Sequence, residues 1–234
     1  MENTRSDDKQ KTSLGPNSLI TFLEPKSVIA EQFNTIRSNI NFTLPDHDVK
    51  KILVTSSTAG EGKSTIASNL AVVFAKEGKR VLIIDADMRR PTLHSTFDIE
   101  NRYGLSNTLS KKVTYMESVQ ETFIFELYIL PSGPVPMNPS ELLASKTLNK
   151  LMEIFEQYFD VIIFDAPPLL PVTDAQIISN ICDGTILVVN SGKVNRADVL
   201  KAKSLLEASH AKILGVVLNN FKLPNNHYYY SEYK

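Results

Sequence analysis

The chain has 234 residues, of which 42% are hydrophobic and 22% charged, which excludes bulk disorder and predicts one compact α/β domain, or one domain with short extensions. The net charge of −1 gives no reason to expect nucleic acid as a partner. The single cysteine, Cys182, excludes an internal disulfide framework, and no apolar run approaches the ~18 residues that cross a bilayer.

The sequence divides into a flexible N-terminal arm over residues 1–17, a folded domain over 18–223 and a mobile tail over 224–234. The arm is polar and lacks the apolar stretch of a secretory signal. At the start of the domain, apolar residues recur at helical spacing, which predicts an amphipathic helix over 27–42 with Ser27 as its N-cap.

Short apolar, β-branched runs then alternate with helical patterns. Strands are predicted over 51–55, 80–85, 126–130, 161–165, 185–190 and 213–220, with helices over 63–77, from 138 to about 158, from about 174, and over 195–208. The helix that starts at 138 is marked by Asn138 as N-cap, Pro139 at the first helical position and Glu141. This alternation predicts an α/β fold in which a mostly parallel sheet carries helices on both faces.

The strongest signal is the segment SSTAGEGKST at 56–65, which follows the first predicted strand and opens a helix, as a P-loop does. Its glycines allow the backbone to approach phosphate oxygens, Lys63 is placed to reach the β- and γ-phosphates, and Ser64 to coordinate Mg²⁺. The full P-loop pattern has glycine where this chain has Ser57, and the alternative is an ordinary glycine-rich turn. The predicted ATP-binding residues in this segment are Ser57, Thr58, Ala59, Gly60, Glu61, Gly62, Lys63, Ser64 and Thr65.

Acidic residues end two other predicted strands. Asp85 and Asp87 follow the second strand, and Asp165 ends the strand VIIFD. At the C-terminal edge of a parallel sheet such carboxylates face the ligand crevice, although a lone acid there is also typical of helix caps and turns. We predict that Ser64 and Asp165 hold the metal.

Together these motifs resemble the MinD/ParA-like P-loop ATPases, whose second-strand DxD is called Walker A′. Within that branch the chain most resembles the free-standing cytoplasmic form of the bacterial tyrosine kinases (BY-kinases) of capsule and exopolysaccharide systems. The resemblance covers about residues 24–234. It rests on EPKSVIAEQFNTIRSNI, TSSTAGEGKST, VLIIDADMRRPT, LPSGPVPMNPSELL, DVIIFDAPP, TDAQ and a tyrosine-rich C-terminus.

The resemblance implies a P-loop fold and an ATP-dependent protein-tyrosine kinase with ATP and Mg²⁺ as cofactors. Its catalytic residues would be Lys63, which stabilises charge on the transferring group, Asp85, which accepts the tyrosine proton, and Asp87, which assists at the metal. Asn219, at the end of the last strand, would contact the base, or alternatively be a turn residue. Beyond the DxD, the arginines at 89 and 90 would bind phosphate or acidic segments, or be solvated loop residues.

Two positions depart from the related patterns. Thr58 stands where MinD-type proteins carry a signature lysine. The family's E-x-x-R-x-x-R motif, linked to subunit contacts in a ring, reads Glu31, Asn34, Arg37, so that one arginine is missing. The resemblance still implies a homo-oligomer, with a ring as one arrangement and Glu31 and Arg37 as contact residues.

Half of the eight tyrosines lie in the last seven residues, at Tyr228, Tyr229, Tyr230 and Tyr233. The resemblance implies that this cluster is autophosphorylated, whereas its composition alone favours an aromatic tail that packs on the domain or on a partner. The implied partners are a transmembrane activator resembling a polysaccharide co-polymerase and protein-tyrosine substrates.

Three functions follow from these patterns. The first is a cytoplasmic tyrosine kinase, held at the inner face of the membrane by its partner, that regulates capsular or exopolysaccharide synthesis and export. The second is a MinD/ParA-like nucleotide-switch ATPase without kinase activity. The third is a non-catalytic adaptor that binds nucleotide.

Overall fold

The computed structural model describes residues 18–43 and 49–221. Its strands are β1 (Lys51–Ser56), β2 (Val81–Asp85), β3 (Gln120–Glu121), β4 (Leu127–Leu130), β5 (Val161–Asp165), β6 (Gly184–Asn190) and β7 (Ile213–Asn219). Within the described residues they form one seven-stranded sheet in the order β3-β4-β2-β5-β1-β6-β7. Neighbouring strands are parallel, except that β3 is antiparallel to β4, as the predicted mostly parallel sheet requires.

The helices cover both faces of this sheet. They are α1 (Ile20–Leu23), α2 (Val28–Thr43), α3 (Lys63–Lys76), α4 (Leu93–Thr96), α5 (Leu105–Leu109), α6 (Tyr115–Ser118), α7 (Pro139–Leu143), α8 (Lys146–Phe155), α9 (Asp174–Ser179) and α10 (Arg196–Ala208). Among the described residues, none of these helices combines the length and the apolar character needed to span a membrane.

Side chains of the central strands alternate between two cores. In β1, Ile52 and Val54 join the core beneath α2 and α3, whereas Leu53 joins the core beneath α8, α9 and α10. All three are fully buried, because a strand covered on both faces has no solvated side. The α/β fold class with helices on both faces is therefore confirmed.

One predicted helix was wrong in extent. The pattern from 138 to 158 forms two helices, α7 and α8, separated at Ser145, whose φ of −74° and ψ of 148° are those of an extended residue. Apolar periodicity continues across this break, and no glycine or proline marks it, so the pattern does not reveal it. Elements of two to five residues, namely β3, α1 and α4 to α6, are too short to show a period and were also missed.

The start of α2 was predicted correctly, since the Ala30 N–H donates to Ser27 Oγ at 3.1 Å. Arg37 lies against its own domain, where Nη1 donates to the Val73 carbonyl at 3.1 Å and Nε lies 3.7 Å from a Glu77 oxygen. Glu31 is exposed. A subunit contact through these side chains stays a prediction, and the predicted arm at 1–17 and tail at 224–234 lie outside the described residues.

Candidate active site

The loop between β1 and α3 has the backbone of a phosphate-binding turn. Gly60 and Gly62 have φ angles of 77° and 93°, in the left-handed region that favours glycine. A Cβ atom on Gly62 would lie 2.1 Å from Asn219 Nδ2, so this position also has no room for a side chain. Lys63 and Ser64 then form the first turn of α3, where backbone N–H groups favour bound anions.

Glu61 holds this loop in shape from inside. Its carboxylate is fully buried, and Oε1 accepts hydrogen bonds from Ser57 Oγ at 2.6 Å and from the Thr58 N–H and hydroxyl at 2.5 and 3.1 Å. Its Oε2 accepts from the Asn190 N–H at 3.2 Å. Ser57, which replaces the usual glycine, therefore supplies a donor that glycine lacks. The side chain of Glu61 therefore braces the loop, and contact of this residue with ATP stays a prediction.

The acidic residues meet because β5 lies between β1 and β2. Asp85 and Asp165 are register partners at the ends of neighbouring parallel strands, and Val54 of β1 pairs with Asp165 on its other side. Asp85 Oδ2 accepts two hydrogen bonds of 3.0 Å, from the N–H groups of Thr92 and Leu93. The strand order therefore brings the P-loop and both acidic strand ends together.

Lys63 links the P-loop to these carboxylates. Its Nζ lies 2.9 Å from Asp87 Oδ2 and 3.8 Å from Asp165 Oδ1. Burial lowers the pKa of Lys63, but the charges of Asp165 and Asp87 raise the pKa by more, so that it lies above its ordinary value. The side chain is therefore a stable ammonium at neutral pH.

The carboxylates near Lys63 have fewer stabilising contacts than the lysine has. Burial, followed by the charge of Asp165, raises the pKa of Asp85 to about 8, against the lowering effect of hydrogen bonds from Leu93 and Thr92. Burial also raises the pKa of Asp165, although Lys63 and Ser64 oppose it. Among the described residues, Asp85 Oδ1 and both oxygens of Asp165 are buried without a hydrogen-bond partner of normal geometry. Such oxygens suit a cation.

The oxygens fit Mg²⁺ in particular. This ion prefers oxygen ligands and usually takes one or two carboxylates together with water and substrate phosphates. Within 18–43 and 49–221 no group of three or more His, Cys, Asp or Glu side chains is arranged to hold a metal ion alone. Asp165 and Asp87, with the largely buried Ser64 beside them on α3, therefore fit a metal that is held jointly with a nucleotide.

Arg89, whose side chain is 37% exposed, forms an ion pair in this structure, and its binding of phosphate or acidic segments stays a prediction. Its Nε and Nη2 donate to the two oxygens of the fully buried Asp174 at 2.9 and 3.0 Å. Ser140 Oγ also donates to Asp174, at 2.7 Å, and accepts from Arg89 at 3.0 Å. This cluster ties the loop after β2, which carries Asp87, to the starts of α7 and α9. Arg90 is exposed.

The remaining predicted residues lie on or beside the loop. Ala59 is exposed, and the Thr65 carbonyl accepts from Asn69 Nδ2 at 2.9 Å. Asn219 Nδ2 donates to the Glu61 carbonyl at 2.9 Å, so this asparagine contacts the P-loop, and its contact with a base stays a prediction. The tail tyrosines Tyr228, Tyr229, Tyr230 and Tyr233 lie outside the described residues.

Sequence reasoning missed three residues that organise the site: Asn190, Ser140 and Asp174. A signal was present for two of them, because Ser140 lies in the quoted motif LPSGPVPMNPSELL and Asp174 in TDAQ. What the motifs could not reveal is that they meet at one ion pair. Asn190 ends a predicted strand, but nothing in its neighbourhood indicates that it bonds to Glu61.

Comparisons with known proteins agree with this geometry. The ParA family, described as NUBPL iron-transfer P-loop NTPase, matches residues 48–230. The chain is 45% identical over 221 residues to tyrosine-protein kinase YwqD of Bacillus subtilis (strain 168), covering 94% of this chain and 93% of that protein. It is 42% identical over 190 residues to tyrosine-protein kinase CpsD of Streptococcus agalactiae serotype III (strain NEM316), covering 81% of each. The crystal structure of the chimerical protein CapA2B2 matches with a TM-score of 0.86 at 46% identity, covering 88% of this chain and 91% of that one.

Proposed function

This chain belongs to the ParA-type P-loop NTPases and, within them, to the bacterial tyrosine kinases, and we propose that it transfers the γ-phosphoryl group of ATP to its own C-terminal tyrosines. It is a protein-tyrosine kinase of the capsule and exopolysaccharide type. The observation that carries the proposal is the contact of the P-loop Lys63 with the carboxylates that end β2 and β5. Phosphoryl transfer requires this combination of a cation and metal-binding oxygens.

In the proposed step, the phenol oxygen of a tyrosine forms a bond to the γ-phosphorus. The bond from that phosphorus to the β–γ bridging oxygen breaks, and its electron pair leaves with ADP. Lys63 stabilises the charge on the transferring oxygens. Ser64, Asp87 and Asp165 would hold Mg²⁺, which would supply further charge neutralisation.

The phenol proton passes to a carboxylate, because a phenol with an ordinary pKa of about 10 is protonated at neutral pH. We assign this role to the ionised form of Asp85, which a pKa of about 8 makes the minor form at neutral pH. The Oδ1 atom of Asp85 has no hydrogen-bond partner among the described residues. Its Oδ2 is fixed by the N–H groups of Thr92 and Leu93, so the carboxylate is held in one orientation. Asp87 remains with Lys63 at the metal side.

The position of β7 supports the tail as substrate. This strand ends at Asn219, whose side chain contacts the P-loop, so the chain leaves the sheet at the edge that carries the site. Tyr228 lies nine positions after Asn219, a span of at most about 30 Å. We propose transfer between subunits of a homo-oligomer, with membrane association and capsule regulation through a transmembrane activator.

The test is phosphotyrosine mapping by mass spectrometry after the purified chain is incubated with ATP and Mg²⁺, with and without a candidate activator's cytoplasmic peptide. Label at Tyr228, Tyr229, Tyr230 or Tyr233 that is lost in Lys63→Met supports the proposal. Steady ATP hydrolysis without any label would indicate the nucleotide-switch ATPase instead. Nucleotide binding with neither activity would indicate the adaptor.

A mixing experiment tests transfer between subunits. Lys63→Met with its tail intact is mixed with an active chain in which all four tail tyrosines are Phe. Label on the Lys63→Met chain requires transfer from one subunit to another, because that chain lacks its own P-loop lysine. Label only in the unaltered chain, and never in the mixture, would show transfer within one subunit.

A further inference from the structure

A second lysine lies at the P-loop, contributed by the segment between β6 and α10. A Cβ atom built on Gly60 would lie 3.3 Å from Lys193 Nζ, so the ammonium sits directly beside the loop backbone. Lys193 is 130 residues from Lys63 in sequence and belongs to none of the recognised motifs. Within 56–65, Lys63 is the sole basic residue.

The segment that carries Lys193 is attached to the P-loop. The Asn190 N–H donates to Glu61 Oε2 at 3.2 Å, and Asn190 Nδ2 donates to the Gly60 carbonyl at 3.4 Å. The N–H of Lys193 in turn donates to the Asn190 carbonyl at 3.2 Å. The lysine backbone is therefore held against the phosphate-binding turn, and its side chain is exposed beside Gly60.

Within the described residues, the charge of Lys193 has no counter-ion in contact. Among the ion pairs of the described residues, Lys51, Lys63 and Lys203 each contact a carboxylate, whereas Lys193 contacts none. The nearest acidic residue of the loop, Glu61, already accepts four hydrogen bonds. An exposed ammonium beside a turn built to hold phosphate is placed to bind an anion that arrives there.

We propose that Lys193 binds the phosphate chain of ATP within its own subunit, so that two lysines contact the nucleotide, Lys63 from α3 and Lys193 from the β6–α10 segment. This inference rests on the proposed nucleotide site and adds a residue to it. Lys193 is a binding residue in this assignment, and the proton transfer stays with Asp85.

The test compares ATP and adenosine binding, by calorimetry, in the unaltered chain and in Lys193→Met. ATP affinity is expected to fall by about tenfold, as loss of one charge-assisted contact predicts, with a smaller dependence on salt concentration. Adenosine affinity is expected to stay unchanged because adenosine has no phosphate. Lys193→Arg keeps the charge and should recover most of the ATP affinity.

Lys201→Met is the matched control, because it removes the same charge from the exposed side of α10. Unchanged ATP affinity in Lys193→Met, or equal losses for ATP and adenosine, would overturn the inference. If Lys193→Met unfolds at a lower temperature than the unaltered chain, Lys193→Gln is measured in its place. Its losses of affinity for ATP and for adenosine are then compared in the same way. An unaltered chain that binds no ATP would instead refute the proposed function, so the two failures are distinguishable.

Discussion

Two buried carboxylates at the same end of the sheet, those of Glu61 and Asp165, differ in what surrounds them. Both residues are fully buried. Glu61 accepts four hydrogen bonds from Ser57, Thr58 and Asn190, whereas neither oxygen of Asp165 has a hydrogen-bond partner of normal geometry within the described residues. The first carboxylate holds the P-loop together, whereas the second has Lys63, 3.8 Å away, and Ser64 as neighbours that favour its charge.

This difference distinguishes a carboxylate with a structural role from one with a functional role. Burying a carboxylate without hydrogen bonds is costly, and a site selected for stability alone would provide donors, as the site of Glu61 does. The unsatisfied oxygens of Asp165 and Asp85 therefore indicate a position reserved for a ligand. The comparison gives opposite expectations for substitutions at the two acids.

The largest effect is expected for Asp165→Asn. Loss of the charge that helps hold Mg²⁺ should slow phosphoryl transfer by about 10²–10³-fold, as removal of one electrostatic contact does in other sites. The melting temperature should be unchanged or higher, because a buried, poorly paired charge is removed. Tail phosphorylation and thermal unfolding of the same sample provide the check, and a lower melting temperature with normal transfer would contradict the assignment.

For Glu61→Gln, in contrast, the main expected effect is a loss of stability. The amide offers one acceptor in place of two and directs an NH₂ group toward donors, so the unfolding free energy should fall by about 2–4 kcal/mol. Urea denaturation monitored by circular dichroism measures this change. Glu77→Gln, at a partly exposed ion pair with Arg37, is the control and should change the unfolding free energy by less than about 1 kcal/mol. Similar losses in the two variants would refute the bracing role.

Arg89 and Arg90, which are adjacent in the loop that carries Asp87, allow a similar comparison. Arg89→Ala leaves Asp174 buried without its bidentate partner, which should lower the unfolding free energy by about 2 kcal/mol, since Arg89 is 37% exposed. Transfer should fall as well, because Asp87 lies on the same loop. Arg90→Ala removes an exposed side chain and should change the stability by less than about 0.5 kcal/mol. If Arg89→Ala and Arg90→Ala had equal effects in denaturation and kinase assays, the ion pair between Arg89 and Asp174 would be dispensable.

The sequence predicted the parts of the site that are local. The P-loop and the acidic strand ends are short patterns in which residue type and position carry the chemistry, and the fold class follows from alternating strands and helices. What it could not predict are contacts between distant segments, such as Asn190 with Glu61 or Arg89 with Asp174, which lie 129 and 85 residues apart. These depend on strand order and register, which single-strand patterns do not encode.

The break at Ser145 shows a different limit. Apolar spacing continues from α7 into α8, so the local pattern is that of one helix. Ser145 nevertheless adopts an extended conformation, and α7 is linked to α9 by the hydrogen bond from Ser140 to Asp174. The local pattern does not contain this contact between segments that are distant in sequence.

The smallest effect is expected for Asn219→Ala, at the edge of the braced region. Its side chain gives one hydrogen bond to the Glu61 carbonyl, so the stability loss should be about 1 kcal/mol by urea denaturation. If Asn219 also contacts the base, affinity for both ATP and adenosine should fall severalfold, whereas Lys193→Met affects ATP alone. A loss of stability with unchanged affinity for ATP and adenosine would show that Asn219 only supports the P-loop. Because Asn219 bonds directly to the backbone carbonyl of Glu61, their double variant should lose less than the sum of the single losses.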